Sequence, residues 1–243
     1  MKVADMHCDT IGEIYENRLL GNNYKLKKNN FHVDINKLKK GNYLLQNFAM
    51  FIDIKKHKKP YKTLQEMIAV YYEELEDNKD IIRPVYSYKD IYACEKENKI
   101  AALLTIEDAG ALEGSLMNLK TVYEQGVRLI TLTWNHINEV GFPNFKIEVD
   151  TYGDIKEKPN FKIPNTEFGL TDFGVELIRE MERLGIIVDV SHLSDAGFYD
   201  VLKYSKKPFV ASHSNSRKIT NVVRNLTDDM IRKLADKGGL TGI

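Results

Sequence analysis

Cysteine is scarce. Only Cys8 and Cys94 occur in 243 residues, which excludes a disulfide framework as the source of stability. Net charge is absent as well, because 35 basic side chains offset 35 acidic ones. A generic nucleic-acid binder carries a basic excess to neutralise phosphates, so no nucleic-acid partner is expected. No apolar run approaches the ~20 residues needed to cross a bilayer, so no membrane partner is expected either. The first residues lack the basic and apolar regions of a secretory signal, and a cytoplasmic location is the expectation. Low-complexity tracts, internal repeats and composition breaks are missing too, so residues 1–243 read as one domain. Lysine clusters at 22–40 and 55–62 read as solvated surface.

What is present is alternation. With 43% hydrophobic residues the chain can bury one sizeable core. Patterning predicts strands beginning near residues 3, 43, 100, 127, 186, 209 and 240. Helices are expected over 11–20, 34–40, 61–76, 87–97, 116–124, 172–184, 194–204 and 227–237, with Thr171, Ser194 and Thr227 as N-caps. Residues 137–169 are polar, carry Gly and Pro, and show no sustained period, which marks a long structureless stretch, either a functional loop or a disordered one. Strands alternating with helices imply a parallel sheet with right-handed crossovers. Two architectures fit: an open doubly wound sheet, or a TIM-like (β/α)8 barrel lacking its last β/α unit at the C-terminus.

The polar residues favour the barrel. His7, Asp9, Glu107, His192 and His213 all fall just past the C-terminal ends of predicted strands, the face where barrel active sites lie. His7 and Asp9 are two positions apart, so an extended segment points both the same way. Imidazole and carboxylate together suit a divalent metal. Three imidazoles and two carboxylates exceed what one tetrahedral ion needs. They suit two ions about 3.5–4 Å apart, bridged by one carboxylate. A single strand-end histidine is usually structural, but five such groups in register favour metal.

The motifs around these residues are Asp5-Met6-His7-Cys8-Asp9-Thr10, Thr105-Ile106-Glu107-Asp108-Ala109-Gly110 and Gly126-Val127-Arg128-Leu129-Ile130-Thr131-Leu132-Thr133. Further on stand Gly169-Leu170-Thr171-Asp172-Phe173-Gly174, Asp189-Val190-Ser191-His192, Ser212-His213-Ser214 and Arg224-Asn225-Leu226-Thr227-Asp228-Asp229. Together they resemble the membrane dipeptidase (renal dipeptidase) family of zinc metallopeptidases, across essentially the whole chain. The resemblance implies a TIM-like barrel with a binuclear centre of two Zn2+ ions. His7 and Asp9 match the ligands of one zinc, His192 and His213 those of the other, and Glu107 the bridging carboxylate. Arg224 matches the arginine that holds the substrate's C-terminal carboxylate. The implied reaction is zinc-dependent hydrolysis of dipeptides by a metal-bridged hydroxide, with a small dipeptide as partner. A homodimer stays open as the oligomeric state.

Two departures stand out. Where the family has a histidine contacting the substrate carbonyl, the register puts Trp134, with His136 two residues later. Either His136 takes that catalytic role through a shifted loop, or the role is absent. The family's eighth strand carries an aspartate that handles the proton of the attacking water, and no residue of 1–243 matches it. A C-terminally truncated barrel is therefore the expectation, since an open one would expose apolar strand faces. Cys8 is expected to be a packed thiol, and His32 and His57 surface residues. Asp108 is expected either to orient a ligand or to form a loop salt bridge. Two alternatives remain: a related binuclear amidohydrolase acting on a lactam, lactone or phosphoester, and a catalytically lapsed metal-binding protein.

Overall fold

The structure, a computed structural model, describes residues 1–149, 155–156 and 160–243. Its strands are β1 (Val3–Asp5), β2 (Tyr43–Phe51), β3 (Ile82–Pro84), β4 (Ile100–Glu107), β5 (Leu129–Thr131), β6 (Glu148–Val149), β7 (Ile155–Lys156), β8 (Ile187–Asp189), β9 (Val210–Ala211) and β10 (Leu240–Thr241). The helices are α1 (Thr10–Leu19), α2 (Ile35–Lys40), α3 (Pro60–Glu76), α4 (Tyr88–Lys96), α5 (Leu116–Glu124), α6 (Asp172–Leu184), α7 (Asp195–Tyr204) and α8 (Asp228–Asp236). A 3-10 turn spans Ala109–Leu112.

The main sheet runs β1-β2-β4-β5-β8-β9-β10, and every pairing in it is parallel. Parallel strands covered by helices are buried on both faces, and all eight residues of β4 are buried. Glu107 pairs with Thr131, and Thr131 with Asp189, so three polar residues lie in one row across the strand ends. This is an α/β fold of the incomplete TIM-barrel kind. The free edges of β1 and β10 do not pair with each other. They border a cleft of about 710 Å³ whose lining includes His7 and His213.

The core beneath the site is one apolar cluster. It includes Ile11 and Ile14 from α1, Leu64, Met67, Ile68 and Tyr71 from α3, and Leu177, Ile178 and Met181 from α6. The expected caps hold: Thr171, Ser194 and Thr227 accept from the backbone N–H groups of Gly174, Gly197 and Met230. Gly174 also marks a close approach, because a Cβ there would lie 2.1 Å from the carbonyl oxygen of Val140. Gly174→Ala gains helix propensity, yet the clash should dominate and cost about 1–3 kcal/mol. A lower urea midpoint with unchanged slope is the expected result.

Three expectations need correction. β3 escaped notice because three residues, one of them Pro84, are too few to show a period. It pairs with Ile100–Ala102 of β4, on the edge whose other end takes β5. The strands near 127, 186, 209 and 240 are shorter than patterning suggested. Residues 137–169 are not structureless: Glu148–Val149 pairs with Ile155–Lys156, and Phe145 and Ile147 pack with Val223 in a small cluster of their own. Residues 150–154 and 157–159 of that stretch lie outside the described residues.

Candidate metal centre

Each group reaches the site through a local backbone event. His7 follows β1, where its N–H donates to Asp5 Oδ1 at 3.1 Å. Asp9 is the N-cap residue of α1, but its side chain makes no capping bond. Asp9 Oδ1 instead lies 3.3 Å from His7 Nε2. An N-cap carboxylate that declines to cap is free for another task. Glu107 ends β4 and is 3% exposed. His192 adopts a left-handed conformation with φ 66°, strain of the kind that collects at functional sites.

The five side chains converge. Glu107 Oε2 is 3.4 Å from His7 Nε2. Glu107 Oε1 is 3.1 Å from His192 Nε2 and 3.4 Å from His213 Nε2. The two latter nitrogens stand 3.2 Å apart, and the rings of His7 and His213 stack at 3.8 Å. One carboxylate thus shows one oxygen to the His7/Asp9 pair and the other to the His192/His213 pair. Ligand atoms of His7, Glu107 and His213 all lie within 4.8 Å of one another. Imidazole nitrogens and carboxylate oxygens gathered around the buried Glu107 are a donor set that fits divalent cations.

Charge is divided unevenly. Burial opposes protonation of His7, but bonds to Asp9 and Glu107 outweigh it and push its pKa up to about 10. Burial and then the positive Arg224 press His192 down to about 4. Burial works to raise Glu107, yet His192, His213 and His7 together hold it well below the usual carboxylate range.

Arg224 stands beside this cluster. It donates from Nη1 to Ser214 Oγ and from Nη2 to the His213 carbonyl, both at 2.8 Å. Among the described residues no carboxylate lies within ion-pair distance of it. Desolvation lowers its pKa to about 10, which leaves it charged at neutral pH. Its loop is clamped by Arg217, which donates to the carbonyls of Val223 at 3.0 Å and Asn225 at 2.8 Å. Asp195 grips Arg217 by two bonds of 2.7 Å.

The remaining residues fall outside the five-group cluster. His136 Nε2 lies 3.3 Å from Asp53 Oδ1, at the rim. Trp134 meets His136 edge to face and packs on Phe51. Asp108 is fully buried and accepts from Gly110 N and Asn138 Nδ2, so the loop salt bridge is not what it makes. Cys8 is buried and apolar in setting, which pushes its thiol up to about 12. His32 is exposed, but His57 is not the surface residue expected. It is half-buried 3.4 Å from Glu16 and lines a pocket with Asp9 and Asp53, because residues 53–57 turn back toward α1 instead of running out to solvent.

Sequence reasoning missed Asn135, Asp189, Ser212 and the Asp195–Arg217 pair. The repeated Ser-His pair at 191–192 and 212–213 was the available signal, with Asp189 two residues before the first.

A parallel barrel sheet that gathers histidines and carboxylates past its strand C-termini defines the class of metal-site (β/α) barrels. Within that class the chain belongs to the membrane dipeptidase family (peptidase family M19), whose family model matches residues 1–243. Curated relatives include a Klebsiella pneumoniae protein of unknown function, 30% identical over 190 residues, covering 76% of this chain and 64% of the relative. Dipeptidase 3 of Mus musculus is 33% identical over 142 residues, 58% of this chain and 26% of that protein. The matches with curated relatives thus span less than two thirds of those proteins' length. Among solved structures, a Rhodobacter sphaeroides metallopeptidase liganded with a phosphinate mimic of the dipeptide L-Ala-D-Ala superposes with TM-score 0.84. Identity is 21%, over all of this chain and 73% of that one. A metallopeptidase described as dipeptidase AC gives TM-score 0.85 at 22% identity, over all of this chain and 71% of that one. At such identities the likeness concerns the fold.

Proposed function

We propose that this site hydrolyses dipeptides with two zinc ions, one held by His7 and Asp9, the other by His192 and His213, and both by Glu107. The observation that carries the reading is Arg224, a half-buried guanidinium with no carboxylate within ion-pair distance among the described residues, beside a cluster whose central carboxylate faces two ligand pairs. Zinc held there would supply Lewis-acid chemistry, acidifying a water toward a pKa of about 7 and polarising the scissile carbonyl. The protein's own groups do the rest. Arg224 receives the substrate's free carboxylate, which a planar fork of N–H donors recognises bidentately. His136, held by Asp53, is the histidine available from the β5 end to donate to the substrate carbonyl. The buried strand ends keep the ligands fixed as substrate binds.

The purified protein, loaded with zinc, should hold two ions per chain by elemental mass spectrometry and cleave a panel of dipeptides. Two bound zincs with every dipeptide left intact would sink the assignment. Metal uptake has its own pH signature. In the metal-free protein His7 titrates at about 10, so at neutral pH it carries a proton that must leave before Nε2 can ligate. Zinc binding should therefore release about one proton from His7. Apparent affinity should rise with pH, by up to about tenfold per unit, levelling above the His7 pKa. Calorimetry in buffers of different ionisation enthalpy reads this directly.

A further inference from the structure

Asp189 is fully buried and accepts from three strand ends at once. Its Oδ1 takes the N–H of Ser191 at 3.0 Å and of Ser212 at 2.9 Å. Its Oδ2 takes the hydroxyls of Thr131 at 2.6 Å and Ser212 at 2.5 Å. A carboxylate only accepts, so the single hydroxyl proton of Ser212 is committed to Asp189. Ser212 Oγ also lies 2.8 Å from His213 Nδ1. In that contact the serine must accept and the ring must donate. In the neutral ring this leaves Nε2 bare, the nitrogen aimed at Glu107 and His192. His192 is arranged alike, its Nδ1–H donating to Asn135 Oδ1 at 3.2 Å.

We propose that Asp189 and Ser212 are positioning residues: they lock His213 in its Nδ1–H tautomer and so preset one metal-ligating nitrogen before the ion arrives. This rests on the reading of His213 as a ligand. Any buried carboxylate needs donors on both oxygens, but here one of the hydroxyls that serve Oδ2 also hands the polarity on to the imidazole. Groups that hold a ligating imidazole by its far nitrogen orient it and raise its basicity, and their loss typically costs about 10–100-fold in metal affinity.

The test compares Ser212→Ala, Ser212→Thr and Thr131→Val. Thr131→Val removes one bond to Asp189 without touching His213, so it carries any generic loss of rigidity. Long-range proton–nitrogen NMR of the metal-free protein at mildly alkaline pH should show His213 as the Nδ1–H tautomer. Ser212→Ala should lose that signature and Ser212→Thr restore it. In competition with a chromophoric chelator, one zinc equivalent should weaken by about 10–100-fold in Ser212→Ala. It should recover in Ser212→Thr and stay near wild type in Thr131→Val. Unchanged ring signals and zinc affinity in Ser212→Ala would overturn the proposal. So would an equal loss in Ser212→Ala and Thr131→Val, which marks a structural bond. If zinc fails to shift the His213 ring in the unmutated protein, the ligand reading itself falls, and that result comes from wild type alone.

Discussion

Glu107→Gln should lose zinc at both positions and reduce dipeptide hydrolysis by about 10³-fold or more, the equivalent of about 4 kcal/mol or more of transition-state stabilisation. The size follows from geometry. Glu107 Oε2 faces His7 at 3.4 Å, and Oε1 faces His192 and His213 at 3.1 and 3.4 Å, so one side chain serves both halves of the centre. Glutamine keeps the volume, which spares the packing between β2 and β5. Its amide nitrogen has no lone pair to offer, and the pair of dications loses a shared negative charge. The metal-free variant should also report a change at His7. Without the Glu107 carboxylate, burial gains on the remaining Asp9 contact, and the His7 pKa should fall from about 10. Zinc content, hydrolysis rate and a thermal melt separate the outcomes. A folded Glu107→Gln protein that keeps two zincs and its rate would remove Glu107 from the bridging position.

The sequence carried the row of strand ends because a parallel sheet turns linear position into spatial position. His7, Glu107, His192 and His213 each follow an apolar run, and register brings such ends to one face. Helix caps were equally readable, since Thr171, Ser194 and Thr227 act on backbone groups three residues away. Contacts set by register between strands were not. Asp189 meets Thr131 and Ser212 across gaps of 58 and 23 residues, which no local period encodes. The Asp195–Arg217 clamp joins a helix start to a loop in the same way. β3 was invisible for the opposite reason, being too short for any pattern. His57 was misplaced because a Lys-rich neighbourhood says how solvated a segment is, not which way one ring in it turns.

Arg224→Met should raise the KM for dipeptides by about 10²–10³-fold while leaving zinc content unchanged. Truncating one partner of a buried, hydrogen-bonded charge pair costs about 2–5 kcal/mol, and about 3–4 kcal/mol corresponds to that range. Two of the five N–H donors of Arg224 are spent on Ser214 Oγ and the His213 carbonyl, and these bonds fix the plane of the guanidinium. The remaining donors have no carboxylate within ion-pair distance among the described residues, so a substrate carboxylate would meet a preset cation with donors to spare. Depression of its pKa to about 10 leaves it protonated at neutral pH, so a substrate carboxylate would meet a full positive charge there. Methionine matches the stem in length and apolar packing but offers neither charge nor donors. Lysine would restore charge without the planar fork, and should recover only part of the loss. The discriminating comparison is between a dipeptide and its C-terminal amide, which lacks the anion. Wild-type protein should favour the free acid strongly, and Arg224→Met should bring the two kcat/KM values close together. The Arg217 clamp predicts the same preference eroding more mildly in Arg217→Lys, because the Val223 and Asn225 carbonyls that flank Arg224 would be held by fewer donors. An unchanged acid-to-amide ratio in Arg224→Met would mean that the free carboxylate binds elsewhere, and the dipeptide reading would lose the observation on which it rests.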